Sequence, residues 1–291
     1  MRHVPVLAEE IYQNLPDKLD KFLDWTVWHA WHCQYLISKL DNNKAFFVGV
    51  DRDQSMLSKA DEYLSWYSWR YKLLNLSYSQ LDEIVNESWF DTFDWILLDL
   101  WVNMDHFKLF DRWFSIKWEG KLDMRFDSNS NFTAYDLINT YSRSKLSEIF
   151  KKYWDFSDKF AEFIADTIIS ERKKQKHIYS TSQLVDLIKS VWLWNKKISV
   201  IFQCIRIEVN NELWHLEIFL DNFEKYISKW WKCYIITYHS IEDRIVKYKF
   251  KDLAASDNFE LVNKKVIKPH YKEVLSNKAS RSAKLRIIKA L

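Results

Sequence analysis

Three acidic residues each stand at the end of an apolar, strand-like segment. Asp24 opens the loop DWTVWHAWH, Asp51 follows AFFVGV, and Asp99 ends the apolar part of WILLDL. Ligands of open α/β sheets bind beyond the carboxyl ends of the strands, so we expect the three carboxylates on one rim. An acid about 20 residues after such a loop can accept hydrogen bonds from ribose hydroxyls. The pattern suits a nucleoside cofactor, either S-adenosylmethionine (SAM) or NAD.

Strands and helices alternate through the first hundred residues, which predicts a doubly wound, Rossmann-like α/β sheet. The apolar runs WILLDL and AFFVGV suit parallel strands covered on both faces. The predicted strands are Lys21–Asp24, Ala45–Asp51, Tyr71–Leu76 and Trp95–Leu100, and the predicted helices are His32–Leu40, Gln54–Leu64 and Ser79–Val85.

The alternation stops near His106, and helical spacing follows. The helices predicted there are Thr133–Thr140, Lys145–Lys152, Asp158–Lys173 and Thr181–Val191, with Ser180 among the candidate N-cap residues. A long helix over Val200–Tyr226, a buried strand Cys233–Tyr238, a helix Ile241–Phe250 and an edge strand Ala283–Ile288 complete the chain. We therefore predict a core of residues 1–105 and 200–291, with 106–199 as an inserted helical substrate-recognition domain.

The composition suits a soluble globular protein, with 48% hydrophobic and 29% charged residues among 291. No apolar run approaches the roughly 18–20 residues that span a bilayer, and MRHVPVLAEE lacks the apolar core of a signal peptide. We expect a cytoplasmic protein. Cys33, Cys204 and Cys233 are odd in number and far apart, which predicts buried free thiols and no metal site.

Positive charge is concentrated near the C-terminus. Residues 262–291 carry nine Lys or Arg and one acid, a balance of +8, whereas the whole chain is only +3. This basic segment suits either a polyanionic partner or a solvated surface.

The chain has 16 Trp and only 2 Gly, although about 7% of residues are Gly in ordinary proteins. Several Trp stand where Gly is expected, as at Trp25, Trp28 and Trp31 in the loop and at Trp230-Trp231, where a tight turn is predicted. Two hypotheses follow. Either the gene uses UGA as a glycine codon and was translated with UGA as Trp, or the protein is truly rich in Trp.

Two further segments, KLDMRFD before the predicted inserted helices and YHSIEDRIVK after the last buried strand, are dense in polar groups. In YHSIEDRIVK, His239 is a candidate base, hydrogen-bond donor or helix N-terminal residue, and Ser240 is a candidate N-cap with Asp243 three residues later. In FQCIRIEVNNEL, Arg206 and Asn210 share one helix face. Two interpretations of this face stay open: it lines a binding site, or it is exposed to solvent.

Together these segments resemble the RsmH (MraW) family of small-subunit ribosomal RNA methyltransferases. The resemblance runs from HVPVLAEE to SRSAKLR through DWTVWHAWH, VGVDRD, ILLDLWVN, WFSIKWEGKLDMRFD, FQCIRIEVNNEL and ITYHSIEDRIVK. With Trp read as Gly, the loop, the ILLDLWVN strand end and the WFSIKWEGKLDMRFD segment look like the family's own.

The resemblance implies a SAM-dependent methyltransferase fold with an inserted helical domain, and N4-methylation of a cytidine in the decoding region of 16S ribosomal RNA. Four positions depart from the family pattern, with Ala30 for Gly, Tyr78 for Phe, His106 for Gln and Val200 for Arg. The family's SAM contacts, with Asp24 added from its strand end, fall on Asp24, Ala30, Trp31, His32, Asp51, Tyr78, Asp99 and His106.

A cytosine amine is a poor nucleophile, so the reaction needs an acceptor for its proton. The candidate catalytic residues are Asp99, Asn103, His239 and Asp243. The candidate RNA contacts are Arg125, Arg206, Asn210, Arg244, Lys264, Lys265 and Lys268. The expected partner is small-subunit ribosomal RNA or the 30S subunit, without a membrane, and the sequence leaves a monomer or a homodimer open.

Two rival functions stay open at this point. One is an NAD-dependent oxidoreductase built on the same kind of sheet. The other is a non-catalytic RNA-binding or ribosome-assembly module, which would follow if the Trp residues of the loop are genuine.

Overall fold

The chain divides into two compact units. The computed structural model describes residues 5–15, 20–28, 30–39, 45–66, 70–100, 120–127, 129–154, 156–175, 177–191 and 195–291. One unit comprises Met1–Trp101 and Trp214–Leu291, and the other comprises Val102–Leu213. The first unit is thus made from two separate stretches of chain. The domain boundaries drawn from the sequence, at 105/106 and 199/200, stay a prediction.

The described strands of the first unit form one sheet. They are β1 Lys21–Asp24, β2 Phe46–Val50, β3 Arg70–Leu74, β4 Phe93–Asp99, β5 Ile227–Thr237, β6 Phe259–Leu261 and β7 Lys284–Ala290. Their order is β3-β2-β1-β4-β5-β7-β6. Strands β1 to β5 are parallel to their neighbours in this order, and β7 is antiparallel to β5 and β6. The predicted doubly wound α/β sheet is confirmed.

The sequence predicted that the last strand lies at the edge of the sheet, and this prediction is wrong. β7 lies between β5 and β6, and the three-residue β6 occupies the edge. The charged residues Lys284, Arg286 and Lys289 alternate with buried apolar ones in β7, which suggested an edge strand. A three-residue strand is too short to give a periodic signal of its own.

Twelve helices lie in the described part of the chain. They are α1 Ala8–Gln13, α2 Trp31–Ile37, α3 Gln54–Leu64, α4 Leu81–Ser88, α5 Ala134–Thr140, α6 Arg143–Trp154, α7 Asp158–Gln175, α8 Thr181–Ser190, α9 Asn195–Val209, α10 Glu212–Asn222, α11 Ser240–Ala255 and α12 Tyr271–Ser276. None of these helices is long and apolar enough to cross a membrane. Cys33, Cys204 and Cys233 are buried and free.

Apolar side chains cover both faces of the sheet. Along β4, Ile96 and Leu98 belong to one buried cluster, and Trp95 and Leu97 belong to the other. The first cluster includes residues of α10 and α11, and the second includes residues of α2 and α3. Burial on both faces explains why β4 reads as a continuous apolar run.

Capping side chains fix the starts of two helices in the second unit. Thr133 forms a capping box with Asp136 at α5, and Ser180 forms one with Gln183 at α8. Each box satisfies two backbone N–H groups that a helix start leaves without partners. The N-cap predicted at Ser180 is confirmed.

The single helix predicted over Val200–Tyr226 is wrong. Two helices, α9 and α10, are separated at Asn210 and Asn211, and Asn211 has a φ of 50°. Asn tolerates this left-handed conformation better than most residues. The apolar spacing continues on both sides of the break, so periodicity alone did not reveal it.

Left-handed backbone occurs at Trp far more often than its abundance explains. Seven non-Gly residues of the described chain have positive φ, and three are Trp: Trp28 at 44°, Trp89 at 69° and Trp230 at 74°. Trp89 is the C-cap of α4, a position that commonly requires Gly. Trp230 lies where the pairing of β4 with β5 shifts register. The tight turn predicted before Cys233 is therefore a β-bulge inside a longer strand.

The first fold prediction concerns Gly49 in β2, where the Cβ of an alanine would lie 2.8 Å from side-chain atoms of Leu73 and Val27. We expect Gly49→Ala to lower the free energy of unfolding by about 1–3 kcal/mol through overpacking. Chemical denaturation measures this change. The control Ser58→Ala, at an exposed position of α3, should stay within about 0.5 kcal/mol of the parent. Equal stability of the two variants would contradict the prediction.

Candidate active site

The three carboxylates predicted to share a rim end neighbouring strands of the sheet. β1 pairs with β2 on one side and with β4 on the other, all parallel. Asp24 ends β1, Asp51 follows β2, and Asp99 ends β4. All three are buried, so this edge of the sheet gathers three carboxyl groups away from water.

Asp24 is the most perturbed of the three acids. Only 1% of its surface is exposed, and its Oδ1 accepts a hydrogen bond of 3.1 Å from the Thr26 backbone N–H. Burial raises the pKa of Asp24 to about 8, and the charges of Asp99 and Asp51 act in the same direction. A cation bound at this edge would favour the ionised form of Asp24 and so lower its pKa.

Asp51 holds the loop that follows β1. Its Oδ2 accepts a hydrogen bond from the Trp28 backbone N–H at 3.2 Å, and its Oδ1 accepts one from the Asp53 N–H at 2.9 Å. The Asn75 amide donates to the Asp51 carbonyl at 3.0 Å. These contacts fix Asp51 between the ends of β1, β2 and β3.

Asp99 lies beside His32, which belongs to α2. His32 Nδ1 is 3.9 Å from Asp99 Oδ2, and His32 Nε2 is 2.9 Å from the Val6 carbonyl oxygen. The Asp99 backbone N–H donates to Thr26 Oγ1 at 2.9 Å. The Ala30 N-cap of α2 has a φ of 57° and is fully buried. Trp31, the first residue of α2, is partly exposed.

Tyr78 lies on the loop between β3 and α4, against His215 of α10. The two ring centroids are 6.0 Å apart. His215 Nδ1 lies 2.8 Å from Ser79 Oγ and 3.2 Å from Ser77 Oγ. Burial lowers the pKa of His215 to about 4, and the positive charge of Arg52 adds to the effect. A neutral His215 therefore positions the residues on both sides of Tyr78.

Tyr238 and His239 directly follow β5, and their side chains have different surroundings. Burial raises the pKa of Tyr238, and the negative charge of Asp99 raises it further. His239, not Ser240 as predicted, is the N-cap of α11. His239 Nδ1 accepts from the Glu242 N–H at 3.4 Å, and Nε2 lies 2.8 Å from Glu242 Oε1. The extended backbone of His239 places its ring, rather than the Ser240 hydroxyl, over the helix start.

Asp243 joins α11 to β7. Its carboxylate accepts hydrogen bonds from Arg286 Nε at 2.8 Å and Lys284 Nζ at 3.1 Å. Burial acts to raise the pKa of Asp243, but these two cations outweigh it and the pKa is lowered. A carboxylate held in its ionised form by two cations is a weak proton acceptor. The predicted catalytic roles of His239 and Asp243 gain no support from these contacts.

Three predicted RNA contacts lie in the second unit and have partners there. Arg125 Nε and Nη2 each lie 2.7 Å from the Asp123 carboxylate. Arg206 Nε lies 2.8 Å from Glu212 Oε1. Asn210 accepts from the Phe126 N–H and donates to the Met124 carbonyl, at 2.8 and 2.7 Å. Asn210 therefore fixes the segment that carries Arg125, and the RNA-binding role of all three stays a prediction.

The remaining predicted RNA contacts are at the surface of the first unit. Arg244 on α11 is exposed, as are Lys264, Lys265 and Lys268 between β6 and α12. Asn103 and His106 lie outside the described residues.

Sequence reasoning missed three residues that shape the site. Thr26 is the second residue after β1 and Tyr238 directly follows β5, so the strand-end rule that selected the three acids could have found them. His215 sits inside an ordinary helical pattern of the sequence. The sequence carries no signal that brings His215 to Tyr78, because the pairing depends on how α10 packs.

A seven-stranded sheet with this order and one antiparallel strand is the Rossmann-like fold of SAM-dependent methyltransferases, and acids at the ends of β1, β2 and β4 suit a nucleoside cofactor. This is the class that the fold and the site define.

The whole chain, residues 1–291, matches the MraW methylase family, and the protein belongs to that family. Ribosomal RNA small subunit methyltransferase H of Sulfurihydrogenibium azorense is 38% identical, with both chains covered in full. The protein of the same name from Clostridioides difficile is 35% identical over 98% of this chain and 97% of its own length.

The first prediction for the site concerns Asp51. In the chain with glycine at the sixteen Trp positions, we expect Asp51→Ala to weaken SAM binding by about 1.5–3 kcal/mol, because a charged acceptor for ribose hydroxyls is lost. Titration calorimetry measures the dissociation constant. Asp91→Ala, which removes an exposed acid, is the matched control. An unchanged dissociation constant for Asp51→Ala would leave Asp51 a purely structural role.

The second concerns the pKa of Asp24. Folding raises this pKa to about 8, so between the unfolded pKa and about 8 the folded state binds one more proton than the unfolded state. The free energy of unfolding therefore falls as pH rises through this window. Asp24→Asn removes the effect, so its stability relative to the parent should increase between about pH 5 and 8. Denaturant titrations at several pH values measure the difference, and parallel pH profiles would contradict the prediction.

Proposed function

We propose that this methyltransferase transfers a methyl group from SAM to the exocyclic N4 of a cytidine in 16S ribosomal RNA, and that it does so in the cytoplasm. The observation that carries the proposal is the rim of Asp24, Asp51 and Asp99 in a chain that belongs to the MraW methylase family along its full length. The two relatives carry the name of a small-subunit ribosomal RNA methyltransferase.

The chemistry of the rim fits SAM. A carboxylate at this strand end can accept hydrogen bonds from ribose hydroxyls, and the Trp28 and Asp53 N–H groups hold Asp51 in place there. A positively charged sulfur at this edge would favour the ionised forms of the buried Asp24 and Asp99 carboxyl groups. When bound, SAM supplies an electrophilic methyl group.

Asp99 is the proposed proton acceptor. The cytosine amine delocalises its lone pair into the ring, so the protein must orient the base and draw a proton from N4 as the new bond forms. Asp99 ends β4, the central strand of the seven, and lies beside His32 and Tyr238. Among the described candidates, His239 is engaged by Glu242 and Asp243 by Arg286 and Lys284.

The basic segment is proposed to hold RNA phosphates. A cytidine must leave its stack before it can enter such a site, and neighbouring phosphates must be held while it does. Lys264, Lys265 and Lys268 are exposed on this segment. Contacts between Lys and phosphate position RNA without reading its sequence. Family membership does not favour the NAD-dependent oxidoreductase or the non-catalytic module.

We also propose that the Trp residues of this sequence are glycine in the protein, because the gene uses UGA as a glycine codon. The left-handed φ values of Trp28, Trp89 and Trp230 support it, since an L-residue with a large side chain is strained there and Gly is not. Trp25 supports it in another way. Its buried indole nitrogen has no hydrogen-bond partner within the described part of the chain, a situation that costs about 1–3 kcal/mol.

The test compares the Trp chain with a chain that has glycine at all sixteen positions. We expect only the glycine chain to bind SAM and to transfer a radiolabelled methyl group to 16S RNA in 30S subunits, because Trp28 and Trp31 would crowd the cofactor loop. Calorimetry and scintillation counting provide the two measurements. Asp99→Asn in the glycine chain should reduce methyl transfer to a much greater extent than it weakens SAM binding.

Three outcomes would count against these proposals. Equal SAM affinity of the two chains, or UGG codons at Trp28 and Trp89, would overturn the recoding. SAM binding by the glycine chain without methylation of 16S RNA would overturn the proposed substrate.

A further inference from the structure

Three aromatic rings form a stacked group at the surface of the second unit. The ring of Tyr135 is nearly parallel to those of His177 and Tyr179, at interplanar angles of 29° and 28° and centroid distances of 5.9 and 5.7 Å. His177 and Tyr179 are 5.7 Å apart. Tyr179 is 55% exposed. We call Tyr135, His177 and Tyr179 the aromatic cluster.

The backbone beneath the cluster is held rigidly. Asn139 accepts from the Ile178 N–H and donates to the Ile178 carbonyl, both at 2.9 Å. Gln183 accepts from the Tyr179 N–H at 2.7 Å. Ile178 is buried between the two exposed rings. Residues on either side of such an anchor present their rings to solvent in a fixed arrangement, which lowers the entropy lost on binding.

Positive charge lies next to the cluster in the chain. Lys173 and Lys174 are exposed at the C-terminal end of α7, four and three residues before His177. Lys121 is exposed and forms an antiparallel bridge with Ser180, the neighbour of Tyr179. Arg172 is committed to structure, since its guanidinium donates to the carbonyls of Ile138 and Tyr141.

We propose that the aromatic cluster is a stacking platform for an unpaired base of the RNA substrate, with Lys121, Lys173 and Lys174 near the flanking phosphates. Every base has a π-face that can stack on an exposed aromatic ring, and adjacent cations neutralise the backbone. A rigid, exposed ring group beside lysines has the chemistry of single-stranded RNA binding. The inference rests on the proposed function for its partner, ribosomal RNA.

The experiment measures the affinity of the full chain for a fluorescein-labelled single-stranded RNA by anisotropy, at several salt concentrations. Tyr179→Ala should weaken binding about 5- to 150-fold, the range for the loss of one base stack, without changing the salt dependence. Tyr179→Phe keeps the ring and should bind like the parent. Lys173→Gln with Lys174→Gln should instead flatten the log–log salt slope by about 0.7 for each lost phosphate contact.

The matched control is Phe163→Ala, which removes another exposed aromatic side chain from the same unit and should leave RNA affinity unchanged. Tyr179→Leu keeps apolar bulk without a ring, so it separates stacking from simple packing, and thermal unfolding checks that each variant is folded. The cluster contains no Trp, so the result does not depend on the recoding.

Two results would overturn the platform. If Tyr179→Ala and Tyr179→Leu bind RNA as tightly as the parent, the cluster does not stack a base. If these variants lose affinity only for the assembled 30S subunit, the surface contacts a ribosomal protein. The parent in these measurements is the chain with glycine at all sixteen Trp positions, and its methyl transfer is measured in parallel. A parent that methylates 16S RNA while Tyr179→Ala binds normally rejects the platform alone, and a parent that binds the RNA without methylating it rejects the proposed reaction alone.

Discussion

The desolvation of three buried carboxylates at one edge of the sheet is the constraint on which the rest of the first unit depends. Asp24, Asp51 and Asp99 end neighbouring strands, and a parallel sheet cannot separate the ends of paired strands. The loop after β1 meets this charge with backbone N–H groups, those of Thr26 and Trp28. The compensation is incomplete, as the raised pKa of Asp24 indicates. A site left short of positive charge is suited to a cationic ligand.

The sequence predicted the sheet well because its signals are local. Each parallel strand covered on both faces reads as an apolar run, and each helix between them shows its own period. The acids at strand ends followed from the same reading, since strand order along the chain already implies a common rim. These predictions needed no knowledge of distant contacts.

The predictions that were wrong involve contacts between distant segments or backbone conformations without a periodic signal. β7 is interior because it pairs with β5 and β6. No local sequence pattern predicts which strands will pair with it. The break at Asn211 interrupts a helix whose apolar spacing continues. His239 rather than Ser240 caps α11, because the chain leaves β5 in an extended conformation at His239. The placement of His215 against Tyr78 depends on the packing of α10 and leaves no trace in the spacing of either segment.

The interior position of β7 has a consequence for how the protein is made. The last strand along the chain lies between β5 and β6 and pairs with both. During synthesis, β5 therefore has an unpaired edge until the ribosome has passed Ala290. The contiguous unit Val102–Leu213 emerges much earlier and has no such dependence. In a nascent chain, the sheet of the first unit would be completed after the second unit has been synthesised, although the first strand of that sheet is made before it.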